Sequence, residues 1–236
     1  MRLRHSSEIL AIALPAIISN LTTPVLGLVD VAITGHIGNA VYIGAIAVGG
    51  TVFNMLYWLF GFLRMGSSGL TAQACGAGDR GRCDTILFRA LIIGMLVGLL
   101  LIALSGPICS VVLGFMDADG ATAALADRYF GICIWGAPAV MVSYAIMGWF
   151  VGMQDSRSAM WVSIFINLAN IVTSLVLVFG LGWKIEGVAT GTLTAQWAGA
   201  ILGLTVVMRR YRPQPQALSV VLDRRRLLSF FRINAD

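Results

Sequence analysis

Charge is what this 236-residue sequence has least of: Asp, Glu, Lys and Arg together make up 11% of it. Soluble domains carry about a quarter, so a soluble globular class is excluded before any motif is read. Histidine is scarcer still, with only His5 in the N-terminal tail and His36 at an outer loop. The Gly66-Ser67-Ser68-Gly69 stretch matches the G-x-S-G of intramembrane serine proteases, but no membrane-buried imidazole is there to serve as its base. The cysteines Cys75, Cys83, Cys109 and Cys133 are scattered and have no neighbouring His, which is not a zinc spacing. No Asn-Pro dipeptide occurs, so a water channel with paired Asn-Pro-Ala loops is excluded. No internal repeat relates the apolar segments to one another.

What the sequence does have is apolar length. Hydrophobic residues make up 58% of it and glycine, which lets membrane helices approach closely, occurs 27 times. Six candidate spans follow, at about 9–35, 42–66, 86–106, 128–150, 159–181 and 187–208, each near the ~20 residues a bilayer requires. The basic N-terminus resembles the start of a signal peptide. The apolar run behind it exceeds an h-region and lacks an A-x-A cleavage site, which predicts an uncleaved first span. The expected fold is an all-α integral membrane protein, with residues 1–212 a six-span membrane lobe and 213–236 a cytoplasmic basic linker.

The net charge of +5 is distributed, not clustered for nucleic acid. Arg2, Arg4, Arg64, Arg80, Arg82, Arg89, Arg157 and the seven arginines from Arg209 onward fall at the N-terminus, in the loops after spans two and four, and in the tail. The opposite side holds only Arg128 and Lys184. This asymmetry predicts both termini in the cytoplasm of a multi-pass protein of the cytoplasmic membrane, with the basic tail against anionic lipid headgroups and no nucleic-acid partner.

Against this apolar background a few polar groups stand out. Asp30 lies near the outer end of the first span, and an acid in hydrocarbon costs roughly 2.5–3.5 kcal/mol, which makes it a functional-site hypothesis by default. Asn167, Asn170 and Ser174 recur at i, i+3 and i+7 on one face of the fifth span. Thr190, Thr192 and Thr194 enter the sixth span at comparable depth, and Tyr129 is expected near the outer mouth of the fourth. One reading is a polar cavity in which Asp30 takes up a proton or a sodium ion, since desolvation penalises the charged form of a carboxylate. Amide and hydroxyl oxygens complete a hard-cation shell, although a single carboxylate leaves it electrostatically thin. The other reading of the amides and hydroxyls is interhelical glue. Pro15 and Pro24 each remove a helix hydrogen bond, giving either a bend that moves or a static one. Asn54 and the aromatic and Met side chains around it are further lining candidates.

The stretches LALPAIISNLTTPVLGLVDVAITGHIG and GLTAQACGAGDRG resemble the N-terminal half of a multidrug and toxin extrusion (MATE) transporter, in its bacterial DNA-damage-inducible branch. The resemblance covers spans one to six. It implies a transporter and not an enzyme, with no cofactor, that exports organic cations or other amphipathic small molecules in exchange for a coupling ion. By the same resemblance Asp30 is the coupling acid, Pro15 the bending proline, Asn170 the fifth-span amide and Thr192 the sixth-span hydroxyl. Many relatives carry a second acid where this chain has Ser174; its absence favours H+ over Na+ held by Asp30 and Asn170. Family members have twelve spans, so the six here predict an N-terminal half, completed by a second lobe or a second copy. A lipid-linked-glycan flippase of the same superfamily ranks below this, because no Lys or Arg is read as mid-span, and an inactive membrane fragment is the remaining alternative.

Overall fold

A computed structural model of the chain describes residues 17–18, 21–22, 25–36, 40–115 and 120–214. Pro15, Pro24 and the linker beyond Gln214 lie outside them. Among the described residues the chain is helical, with no strand. The first helix is described over Val25–Gly35 (α1). Ala40–Leu59 (α2) and Phe62–Gly76 (α3) follow almost end to end, then Arg80–Ala103 (α4), Ser105–Phe115 (α5) and Gly120–Cys133 (α6). Ala137–Gly152 (α7), Ser156–Leu175 (α8) and Ile185–Val206 (α9) complete the bundle. The spans Val41–Gly76, Arg80–Ala103, Gly120–Gly152, Ser156–Gly180 and Ile185–Tyr211 are each long and apolar enough to cross a bilayer.

The boundaries follow from local chemistry. Asp79 caps α4 by accepting the Arg82 N–H at 2.9 Å, and Asp155 caps α8 through Ser158 at 3.1 Å. Gly78 ends the α3 segment with φ +72°, a left-handed position that costs glycine little. Pro138 has no N–H to return to Ile134, and the chain there tightens into a 3₁₀ turn, Ile134–Gly136, that joins α6 to α7 in one continuous rod.

Three boundaries differ from those expected. The second span continues through α3 to Gly76, so Arg64 lies in a helix and not in the following loop. The third begins at Arg80, so Arg89 is buried inside α4 instead of lying in a loop. The fourth begins at Gly120, which moves Tyr129 from the mouth into the body of the helix. The hydropathy reading was misled by the Ser, Thr and Gln of α3, by the Arg80, Arg82 and Asp84 turns of α4, and by Asp127 and Arg128 within α6.

The rod of α6 and α7 is central, with α3 and α4 against one side of α7 and α9 against α6 and α7. Trp149 and Phe150 are fully buried there, and the Trp149 Nε1 donates to the Cys83 carbonyl of α4 at 3.0 Å. Small residues set the close approaches. A Cβ on Gly98 would lie 2.3 Å from the Cα of Pro138, so the α4–α7 contact tolerates only glycine there.

Candidate functional site

The polar residues of the first, fifth and sixth spans converge between α1, α6, α8 and α9. Asn170 and Ser174 are both buried on the inner face of α8. The Ser174 hydroxyl donates to Asn170 Oδ1 at 3.0 Å, and Asn170 Nδ2 donates to Thr192 Oγ1 on α9 at 3.2 Å. Thr192 in turn donates to the Val188 carbonyl at 3.0 Å. Its only hydroxyl proton is thereby used, so it must accept from the amide, and that fixes which way Asn170 points. The α8–α9 separation that allows this is set by Gly191, whose added Cβ would fall 2.3 Å from Ser174 Oγ and 2.8 Å from the Ser174 nitrogen. The Thr173 hydroxyl reaches the Gly191 carbonyl at 3.2 Å across the same seam.

Asp30 sits on α1, half-buried, and its Oδ1 is buried with no hydrogen-bond partner among the described residues. The Tyr129 phenol, buried on α6, is near enough to interact with the Asp30 carboxylate and adjoins Cys133 and Thr192. Gly49 of α2 gives the Tyr129 ring its space, since a Cβ there would lie 2.6 Å from the ring. Cys133, one turn after Tyr129, faces the Ala189 carbonyl at 3.6 Å. Asp30, Tyr129, Thr192, Asn170 and Ser174 therefore form one neighbourhood. Its oxygens are those that would hold a proton or a hard cation. Among the described residues no three His, Cys, Asp or Glu side chains gather around a metal-sized point.

Other expected residues stand apart. Asn167 donates to Thr22 of the first span at 2.7 Å, a separate bond between that span and α8. Thr190 is half-buried and its carbonyl accepts from Thr194 at 2.7 Å. Asn54 is exposed on α2 and has no hydrogen bond among the described residues. Sequence reading passed over Cys133, Thr173 and Gly191. The i, i+4 spacing of Tyr129 and Cys133 and the small-residue run Gly187–Gly191 were the available signals.

The family profile MatE matches residues 15–176. The chain belongs to this family. DNA damage-inducible protein F of Escherichia coli K12 is 37% identical to this MATE chain over 198 residues, 84% of the chain and 43% of that protein. A probable multidrug resistance protein NorM of Thermotoga maritima is 24% identical, over 86% of the chain and 44% of its own length. The fold of a MATE protein crystallised in the straight conformation superposes with a TM-score of 0.85 at 21% identity, covering 97% of this chain and 51% of that one. A MOP superfamily transporter from Pyrococcus furiosus gives 0.83 at 21%, over 94% and 49%. The chain thus spans less than half the length of these two curated relatives. Its MATE membership and its apolar helices make it a multi-pass membrane protein of a transporter family.

Proposed function

We propose that this MATE chain acts as the N-terminal half of a proton-coupled antiporter that exports organic cations across the cytoplasmic membrane, with both termini inside. The observation that carries the reading is the buried Oδ1 of Asp30, without a hydrogen-bond partner among the described residues and within electrostatic reach of Tyr129. Protonation turns a lone buried acceptor into a neutral hydroxyl that also donates, and so changes what α1 makes of its neighbours. Asn170, Ser174 and Thr192 supply a polar network between α8 and α9, joined to the Asp30 region through Tyr129. Ser174 supplies a hydroxyl where a second carboxylate would strengthen a sodium site, which favours H+ as the coupling ion. The substrate path is completed by a second six-helix lobe or by a second copy. In this reading protonation couples to movement of the first span, for which Pro15 and Pro24 are the candidate bending points from sequence.

The test is ethidium movement in everted membrane vesicles with an imposed pH gradient, comparing wild type and Asp30→Asn. Gradient-driven accumulation in the wild type and none in the mutant is the expected result. Equal accumulation in both overturns the role of Asp30.

A second reading, export of an anionic amphipath such as a lipid-linked glycan, has one observation in its favour. Arg64, exposed on α3, lines a cleft of about 750 Å³ together with Tyr57, Trp58, Phe62 and Tyr144. Competition of ethidium movement by an anionic amphipath, lost in Arg64→Gln, is the result that would promote it.

A further inference from the structure

At the basic end of the lobe, away from Asp30, the chain leaving α9 turns back over the start of α4 and forms with it a solvent-open cleft of about 720 Å³. That volume lies within the roughly 300–1,000 Å³ of small-molecule sites. Arg80, Arg209, Arg210 and Arg212 line it, with Asp84 and Gln214. The cleft is held by specific bonds. Arg80 Nη2 donates to the Tyr211 carbonyl at 3.1 Å, and the Gln214 N–H donates to Asp84 Oδ2 at 3.0 Å. Arg212 adopts φ +49°, a left-handed conformation unusual for a residue with a Cβ, and this turns the chain toward α4.

The four arginines are not equivalent. Arg210 is paired with Asp155 at 3.1 Å and also donates to Ser158. Among the described residues Arg209 and Arg212 have no carboxylate within ion-pair distance, and Asp84, the one acid of the lining, already accepts from the Gln214 backbone. Arg80 and Gly81 of the first turn of α4 form part of the wall, while the N-terminus of that helix is already capped by the Asp79 carboxylate. Guanidinium groups match the oxygens of a phosphate ester, which accept from several N–H donors at once.

We propose that this cleft binds a phosphate-bearing anion, with Arg209 and Arg212 as its principal ligands and Arg80 behind them. Because the basic end of a multi-pass protein faces the cytoplasmic leaflet, the phosphodiester of an anionic phospholipid and free phosphate present the same chemistry here. Site occupancy would tie α9 and the chain beyond it to α4.

The experiment uses the full chain in phosphatidylcholine nanodiscs titrated with a fluorescent short-chain phosphatidylglycerol, and in parallel with inorganic phosphate. Wild type binds phosphatidylglycerol in preference to an equally labelled phosphatidylcholine. Arg209→Gln/Arg212→Gln weakens that binding roughly twenty-fold, from about fivefold per arginine. Neither side chain makes a contact on which the cleft depends, so the variant folds, and unchanged helicity by circular dichroism checks this. Arg82→Gln/Arg157→Gln removes the same charge from the same end without touching the cleft lining and leaves the affinity within about twofold. If inorganic phosphate displaces the lipid with the same arginine dependence, the site stands and its ligand is a free phosphate. Equal losses in both double variants, or no binding of either probe, overturn the proposal.

Discussion

Asp30 and Asp155 are both aspartates on a helical framework, and they are treated in opposite ways. Asp155, in the connection between α7 and α8, has its oxygens fully engaged. Oδ1 accepts the Ser158 N–H, and Oδ2 accepts the Ser158 hydroxyl at 2.6 Å and the Tyr211 hydroxyl at 2.5 Å, and pairs with Arg210. Burial opposes its ionisation, but the bonds from Ser158 and Tyr211 and the Arg210 charge outweigh that and hold its carboxyl below the usual carboxylate range. Asp30 has one buried oxygen with no partner among the described residues. A carboxylate with both oxygens engaged is a static clamp, because protonation would break bonds. One with an idle buried oxygen has something to gain from a proton. The same side chain is held by bonds at one end and keeps a buried oxygen without a partner among the described residues at the other.

The comparison breaks most sharply under the same substitution at both places. Asp30→Asn is expected to reduce gradient-driven ethidium movement to the level of protein-free vesicles while leaving the melting temperature in detergent unchanged. Asp155→Asn is expected to do the reverse: activity per folded molecule is kept, and the loss of charge and of acceptors costs about 2–3 kcal/mol of stability, read as a lower melting temperature. A melting temperature that falls equally in both would erase the distinction.

Gly191→Ala tests the polar network between α8 and α9. Its Cβ meets Ser174 at 2.3 Å, so α8 and α9 must part, at about 1–3 kcal/mol, and the Asn170–Thr192 bond should lengthen with them. Ser174→Ala is milder. It removes one donor from the buried Asn170 carbonyl, worth about 1 kcal/mol, and an undiminished melting temperature would show that Oδ1 finds another partner.

The smallest effect is one of pH. Because the folded pKa of Asp155 is depressed, its stabilisation is complete above the ordinary carboxylate range and is lost as pH falls through its folded value. Acid melting curves of wild type should therefore show a limb that Asp155→Asn lacks. Asp30 pairs with no cation among the described residues and should contribute no such limb.

Much of this was legible in the residues. A chain this poor in charge and this rich in apolar runs admits few folds, and the arginine asymmetry marks one end. Asn170 and Ser174 could be placed on one helix face from spacing alone, because helical periodicity is local. Asn167 shares that spacing yet bonds to Thr22 of the first span, since a face of a helix meets more than one neighbour. Span ends were harder to place, because Arg64 and Arg89 lie on helices whose long side chains hydropathy counts as loop.

The sequence by itself therefore determined the membrane class, the helix periods, the basic end and the acid of the first span. These depend on composition and on neighbours a few residues apart. Only the tertiary structure decided which oxygens found partners. Asp30 and Tyr129 are separated by many residues and come within electrostatic reach only in the folded bundle, where Gly49 leaves room for the ring. Asn170 reaches Thr192 only because Gly191 lets two helices close to contact. Asp155 becomes a clamp only because Tyr211 and Arg210 return to it from the end of α9. A carboxylate's role is set by the groups that surround it in space, and those come from distant parts of the chain.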